Sequence, residues 1–360
     1  MSLKSAPRPA LPAAPRGGMS KAAEPHLLMR VLLGTTLALS AALVQAAPAG
    51  TVYTANERGA SISRIDLASG TVSTFKVAIA PHNVQVSPDG RWLLATGMLR
   101  GAGHEGHDTG AAGGRLLVFR IDDLDRPAQS LAAGDHPAHV VTDLDGKRAF
   151  VADSGAGVVR VFDLQAGKET GRITTGRYPH GLRLSPDGST LYVAAMKSDV
   201  VSVIDVASLE EKARIKVGKA PVQVGFAADG KLAFVALSGE NQLGFIDTAR
   251  QTLIGKVPVG RTPIQMFATP DGRQVYVANQ GSAAAPDDRV SVIDPATRKV
   301  LATITTGKGA HGVAMSGDGA YAFVTNIEDA TVSVIDTTTR RVVASYRVGA
   351  GPNGVSFRAP

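Results

Sequence analysis

The feature that most constrains this chain is an internal repeat of about 42 residues. Two short motifs recur: an apolar residue followed by Asp, and an Asp-Gly pair. The first occurs at Asp66, Asp122, Asp163, Asp205, Asp247, Asp294 and Asp336, and the second begins at Asp89, Asp145, Asp187, Asp229, Asp271 and Asp318. One such unit cannot bury its own hydrophobic face, so repeated units must stack into a solenoid or a closed ring.

Each repeat predicts four short strands. In one period these are residues 180–185, 190–195, 200–205 and 211–217. Asp187-Gly188 separates the first two, and this pair is a strong hairpin signal because Gly accepts a positive φ. Four antiparallel strands at this period are the unit of a β-propeller. The predicted fold class is therefore all-β.

The number of first strands predicts seven blades. They begin near His82, Ala138, His180, Val222, Ile264, His311 and Asn353. Residues 352–358 have no partner strands after them, and residues 51–77 lack a first strand. We therefore expect the two termini to complete one blade together, which would remove exposed sheet edges. The prediction is one propeller domain over residues 47–360.

A third motif recurs as VYTAN, AFVAD, LYVAA, VYVAN and AFVTN. The segments VYVAN, SVIDP and PHGLRLSPDG resemble the YVTN-type repeats of exported seven-bladed propellers, including the YncE-like proteins. The resemblance covers roughly residues 50–360 and implies the propeller fold. It does not define a function, because propellers include binding proteins, scaffolds and enzymes.

The N-terminus has the pattern of a signal peptide. Lys21 and Arg30 precede an apolar stretch over residues 31–44, and Ala46 is the expected cleavage point. About 14 apolar residues are too few to span a bilayer. We therefore expect residues 1–46 to be an N-terminal extension with a signal peptide. The mature protein is expected in the periplasm or secreted, without a stable membrane span.

Charge and cysteine content exclude several classes of partner and site. The formal charge is +7, but residues 1–46 hold five basic residues and one acidic residue. The remainder is nearly balanced, and we do not expect nucleic-acid binding. The chain has no Cys, which excludes disulfides and thiolate metal sites. We expect a monomer whose metal ligands would be His, Met, carboxylates or backbone oxygens.

Candidate metal ligands lie where equivalent repeat positions differ. His82, His139, His180 and His311 begin first strands on different blades, so one ion would have to bridge the mouth of the ring. Met98 and Met196 end second strands, and an insertion in the first complete repeat carries His104 and His107. Imidazole suits Cu, Zn, Ni and Fe, and thioether favours Cu(I). The pattern predicts a rim site for a transition metal, with copper favoured.

A set of basic residues follows the fourth strands of four consecutive repeats. They are Arg177, Lys219, Arg261 and Lys308. Such an arc would attract a small anion or the propionates of a cofactor.

These observations leave four functions open. The favoured one is an exported protein that binds a transition metal, or a ligand that contains one. A resemblance to the propellers of haem d1-type proteins implies a tetrapyrrole-binding alternative. The third is a cation-assisted hydrolase or lactonase that uses rim carboxylates. These are Glu57, Glu240, Asp288, Glu328 and Asp329. The fourth is a scaffold for a periplasmic protein partner. No G-x-S-x-G or H-E-x-x-H motif is present, so no catalytic residue is assigned.

The glycine-rich insertion generates a prediction of its own. We expect residues 98–115 to form a mobile loop over the mouth, because Gly has the most backbone freedom to lose on ordering. Replacing both His104 and His107 by Ala should weaken Cu²⁺ binding at least about tenfold, while stability without metal stays within about 0.5 kcal/mol. Calorimetric titration of both proteins checks this. Equal affinity in the double variant would contradict a role for the loop.

Overall fold

A computed structural model describes residues 48–100 and 113–360. Everything described in it belongs to one compact unit, Ala47–Pro360. It contains 28 strands and no helix among the described residues, so no described helix could cross a membrane.

The strands form seven antiparallel sheets of four, which we number as blades 1 to 7. Three strands of blade 7 come first in the chain: β1 (Thr51–Asn56), β2 (Ser61–Asp66) and β3 (Val72–Lys76). Blade 1 follows with β4 (Ile79–Val86), β5 (Trp92–Leu99), β6 (Gly114–Arg120) and β7 (Gln129–Gly134). Blade 2 consists of β8 (Pro137–Thr142), β9 (Arg148–Asp153), β10 (Val158–Asp163) and β11 (Lys168–Thr174). Blade 3 consists of β12 (Pro179–Leu184), β13 (Thr190–Ala195), β14 (Val200–Asp205) and β15 (Glu210–Lys216).

The later blades repeat this order. Blade 4 consists of β16 (Pro221–Phe226), β17 (Leu232–Leu237), β18 (Gln242–Asp247) and β19 (Thr252–Pro258). Blade 5 consists of β20 (Pro263–Ala268), β21 (Val275–Gly281), β22 (Pro286–Asp294) and β23 (Lys299–Thr305). Blade 6 consists of β24 (Ala310–Met315), β25 (Tyr321–Asn326), β26 (Thr331–Asp336) and β27 (Arg341–Arg347). The last strand, β28 (Pro352–Arg358), belongs to blade 7. The predicted seven-bladed all-β fold is confirmed.

The turn residues that all repeats share are structural. In the Asp-Gly turn after β12, Gly188 has a φ of +73°, and the Asp187 carboxylate accepts a hydrogen bond from the Ser189 backbone N–H. In the apolar-Asp motif at the end of β14, the Asp205 carboxylate likewise accepts a hydrogen bond from the Ser208 backbone N–H. These bonds hold the reversals between strands.

Blades 1 and 5 each carry extra residues between their second and third strands. In both, some of these residues extend the strands rather than form a loop. The longer insertion was expected over residues 98–115, but Met98 and Leu99 belong to β5, and Gly114 and Arg115 belong to β6. In blade 5 the extra residues lengthen a hairpin, since Gly281 of β21 pairs with Pro286 of β22. Strand pairing continues there because it satisfies backbone groups that a loop would leave to solvent.

The hydrophobic core lies between blades. Seven clusters of buried apolar residues each combine side chains from two adjacent blades, and together they cover all seven blade interfaces. Between blades 6 and 7, for example, Phe323 stacks on Phe357 with ring centroids 5.3 Å apart. The first strands of neighbouring blades contact each other in a ring around the axis.

Blade 7 combines both ends of the propeller. β28 pairs antiparallel with β1, and Phe357 lies opposite Val52. Closure of the propeller by both termini requires this pairing. How much the pairing contributes to the free energy of unfolding stays a prediction.

Deleting residues 352–360 should lower the free energy of unfolding by more than about 3 kcal/mol, because β1 loses its partner strand and the Phe357 packing is lost. Deleting only Ala359 and Pro360, which follow β28, should change it by less than about 0.5 kcal/mol. Chemical denaturation of both truncations checks this. Equal midpoints would show that the termini do not close the ring.

Candidate metal centre

The first strands bring side chains from different blades to the central axis. One residue of each first strand, which follows a Pro in six blades and Ala310 in blade 6, marks a common level near the mouth. Those residues are His82, Ala138, His180, Val222, Ile264, His311 and Asn353. His139 follows Ala138 and lies one position further along β8.

Three of the predicted histidines form one cluster, which we call the histidine triad: His82, His139 and His180. One nitrogen from each lies within 4.8 Å of the other two. The ring centroids are 5.0–5.6 Å apart, and Nε2 of His82 is 3.2 Å from Nε2 of His180. For these three residues, the distance across the mouth is therefore short enough for one ion.

His180 and His311 are held in the same way on blades 3 and 6. Nδ1 of His180 lies 3.2 Å from the Val222 carbonyl oxygen, and Nδ1 of His311 lies 3.3 Å from that of Asn353. An N–H at Nδ1 that donates to a carbonyl leaves the Nε2 lone pair available. His311, however, is not a member of the triad.

Burial keeps these imidazoles neutral at neutral pH. Desolvation, with a smaller effect of His82, lowers the pKa of His180 to about 3 and that of His311 to about 3. His139 is 3% exposed, and desolvation with the nearby His180 holds its pKa well below the usual range. The neutral ring is the form that ligates a metal.

One polar atom of His139 has no partner among the described residues. Its Nδ1 lies 3.3 Å from Nε2 of Gln223, while Oε1 of Gln223 accepts the Val224 N–H. Nε2 of His139 is buried and has no hydrogen-bond partner within the described part of the chain. Such an atom is costly to bury unless a ligand satisfies it.

A carboxylate supports His82 from the neighbouring blade. Glu57 lies in the β1–β2 turn of blade 7, and its Oε1 is 3.4 Å from Nδ1 of His82. Asn353 donates to Oε2 of Glu57 at 2.6 Å. Burial raises the pKa of Glu57, but the charge and hydrogen bond of His82 and the Asn353 bond outweigh burial and lower it to about 2. An ionised carboxylate behind a histidine orients the ring.

Sequence reasoning missed this role of Glu57, which was grouped with the rim carboxylates. Glu57 and His82 belong to different blades, so no single repeat contains the pair. The available signal was the adjacency of blades 7 and 1.

The two methionines occupy equivalent positions near the ends of second strands in blades 1 and 3. The Met98 backbone lies opposite Ala80, two residues before His82. The Met196 N–H donates to the Tyr178 carbonyl, two residues before His180. Both side chains are partly buried. His104 and His107 lie outside the described residues.

The basic arc is exposed, and two of its members have carboxylate partners. Lys219 Nζ lies 2.7 Å from Asp199, and Nε of Arg261 lies 3.7 Å from Asp287. Arg177 donates to the Lys197 carbonyl, and Lys308 is exposed. These ion pairs reduce the positive potential expected for the arc.

The comparison with family models identifies a YncE-like β-propeller over residues 127–251 and again over 213–358, which together exceed half of the chain. The chain belongs to the YncE-like β-propeller family. The resemblance seen in the repeated motifs is thereby confirmed. The comparison with curated proteins found no match.

Solved structures share the fold of this YncE-like propeller at low sequence identity. Hydrazine synthase from Kuenenia stuttgartiensis is 22% identical with a TM-score of 0.65, over 78% of this chain and 90% of that one. A functionally unknown protein from Desulfotomaculum acetoxidans has a TM-score of 0.71 at 15% identity, covering 87% and 100%. A putative 6-phosphogluconolactonase from Bacteroides uniformis has a TM-score of 0.69 at 16% identity, covering 86% and 99%. These likenesses show the fold alone.

Gly181, which follows His180, tests how tightly the centre is packed. A Cβ there would lie 2.5 Å from the Val222 carbonyl oxygen, the partner of His180. Gly181→Ala should therefore cost about 1–3 kcal/mol of stability. Gly317 has open space at its Cβ position, so Gly317→Ala should stay within about 0.5 kcal/mol. Thermal unfolding of both variants checks this, and equal midpoints would contradict the tight packing.

Proposed function

We propose that this YncE-like propeller is an exported protein that binds a transition-metal ion, with copper favoured, at the histidine triad. The observation that carries the proposal is the convergence of His82, His139 and His180 within 4.8 Å of one another. Export rests on the signal-peptide pattern of residues 1–46.

The spacing of the nitrogens supports one shared ion. Two imidazole nitrogens at about 2.0 Å from a metal in tetrahedral geometry lie about 3.3 Å apart. Nε2 of His82 and Nε2 of His180 are 3.2 Å apart. A hydrogen bond between the rings would have the same spacing, so the test must measure the metal itself.

The donor set decides which ions fit. All three ligands are imidazoles, which suit Cu, Zn, Ni and Fe and disfavour Mg and Ca. Cu²⁺ binds most tightly of the divalent first-row ions at such a site, and the thioethers of Met98 and Met196 near the mouth would add affinity for Cu(I). In this proposal Glu57 and the Val222 carbonyl orient His82 and His180.

His180 and His311 provide a matched pair of variants, because both rings bond a carbonyl of the next blade and only His180 is in the triad. His180→Gln should weaken Cu²⁺ binding at least about tenfold, or about 1.4 kcal/mol. His311→Gln should leave it within about threefold. Isothermal titration of the mature protein with Cu²⁺ and Zn²⁺ measures both. Equal affinity of wild type and His180→Gln, or equal losses in both variants, would contradict a triad site.

The metal content and visible spectrum of protein purified from the periplasm separate the alternatives. Copper without a Soret band supports the proposal. A Soret band would favour the tetrapyrrole alternative, and neither metal nor chromophore, together with flat titrations, would favour a scaffold.

A further inference from the structure

A second polar centre lies deeper in the same channel. Arg183 follows His180 by three residues on β12, which is about 10 Å along an extended strand. At this level the first strands contribute Gln85, Val141, Arg183, Gly225, Phe267, Ala314 and Ser356. All of them except Gly225 line a cavity of about 140 Å³ around the axis, together with residues such as Gln265 from the level above.

Arg183 has no counter-charge among the residues that the structure describes. Apart from the backbone pairing of β12 with β13, it forms no ion pair or hydrogen bond with any residue in the described ranges, 48–100 and 113–360, and no Asp or Glu lines the cavity. Its guanidinium lies over the Phe267 ring, 5.4 Å from the centroid. Burial lowers the pKa of Arg183 to about 10, so it remains cationic at neutral pH.

Neutral donors accompany this charge. Oε1 of Gln265 faces the Val313 N–H, while its Nε2 is buried and has no partner within the described part of the chain. Gln265 is 4% exposed. The Ser356 hydroxyl oxygen accepts the Val86 N–H, which leaves its proton to donate. The cavity wall thus presents a cation and unmet donors without an acidic group.

We propose that this cavity binds a small oxyanion or carboxylate, with Arg183 as the charged contact and the amide of Gln265 as a neutral donor. A guanidinium stacked on a ring keeps its edge N–H groups available for two parallel hydrogen bonds to such an anion. The volume exceeds that of a single water and suits an anion of four or five non-hydrogen atoms. Arg183 and Gln85 are partly exposed, so the cavity is open to solvent.

His139 of the histidine triad also lines this cavity, so the test uses metal-free protein to keep anion binding apart from metal binding. Full-length mature protein treated with EDTA is titrated calorimetrically with sulfate, nitrate and acetate, and with chloride at matched ionic strength. At least one oxyanion or carboxylate should bind more tightly than chloride, because chloride cannot accept two parallel hydrogen bonds. No preference over chloride would overturn the proposal.

Variants locate the anion. Arg183→Met should weaken binding at least tenfold, and Gln265→Leu at least threefold. Arg183→Lys, which keeps the charge and loses the planar fork, should bind with intermediate affinity and replaces the Met variant if that one does not fold. Lys308→Met, on the exposed basic arc, should bind within twofold of wild type. Unchanged affinity in both Arg183 variants, or loss in Lys308→Met, would place the anion elsewhere and overturn the assignment.

Discussion

Apolar packing between neighbouring blades is the interaction on which the rest of this structure depends. Each sheet buries both faces, one against the blade before it and one against the blade after it. A single blade would expose both faces to water, so its stability comes from its neighbours rather than from itself. The large fully buried side chains Phe150, Phe234 and Phe323 lie on second strands of different blades and belong to these interfaces.

Because apolar side chains fill the interfaces between blades, the polar side chains of the candidate sites lie around the central axis. First strands meet around the channel, and their polar side chains bond to the backbone of the following blade. His180 reaches the Val222 carbonyl, and Gln265 reaches the Val313 N–H. Each bond uses one end of the side chain and directs the other end into the channel. The hub thereby gains defined donors and acceptors that do not disturb the apolar interfaces.

The repeated motifs were sufficient to predict the fold, because Asp-Gly turns and alternating strands are local signals. They also indicated His82 and His180, which stand where other repeats have Ala, Val or Ile, and His139, which lies one position further along, where other repeats have Asn, Gln or Gly. They could not supply the distances between these imidazoles, which depend on the radius of the propeller's central channel. Glu57 and Arg183 were missed for related reasons. Glu57 acts across a blade boundary, and Arg183 lies on β12, where the assembled propeller decides which side chains face the channel.

The glycines that follow the hub histidines have a consequence for how this fold can change. Gly181, Gly312 and Gly354 each lie against the backbone of the next blade, so the strand remains close to its neighbour whatever the preceding residue is. The preceding position is His in two of these blades and Asn in the third. Substitution there alters the chemistry of the pore and leaves the contact between strands in place. In blades 3, 6 and 7, ligand preference can therefore evolve one position at a time without loss of the contact between neighbouring first strands.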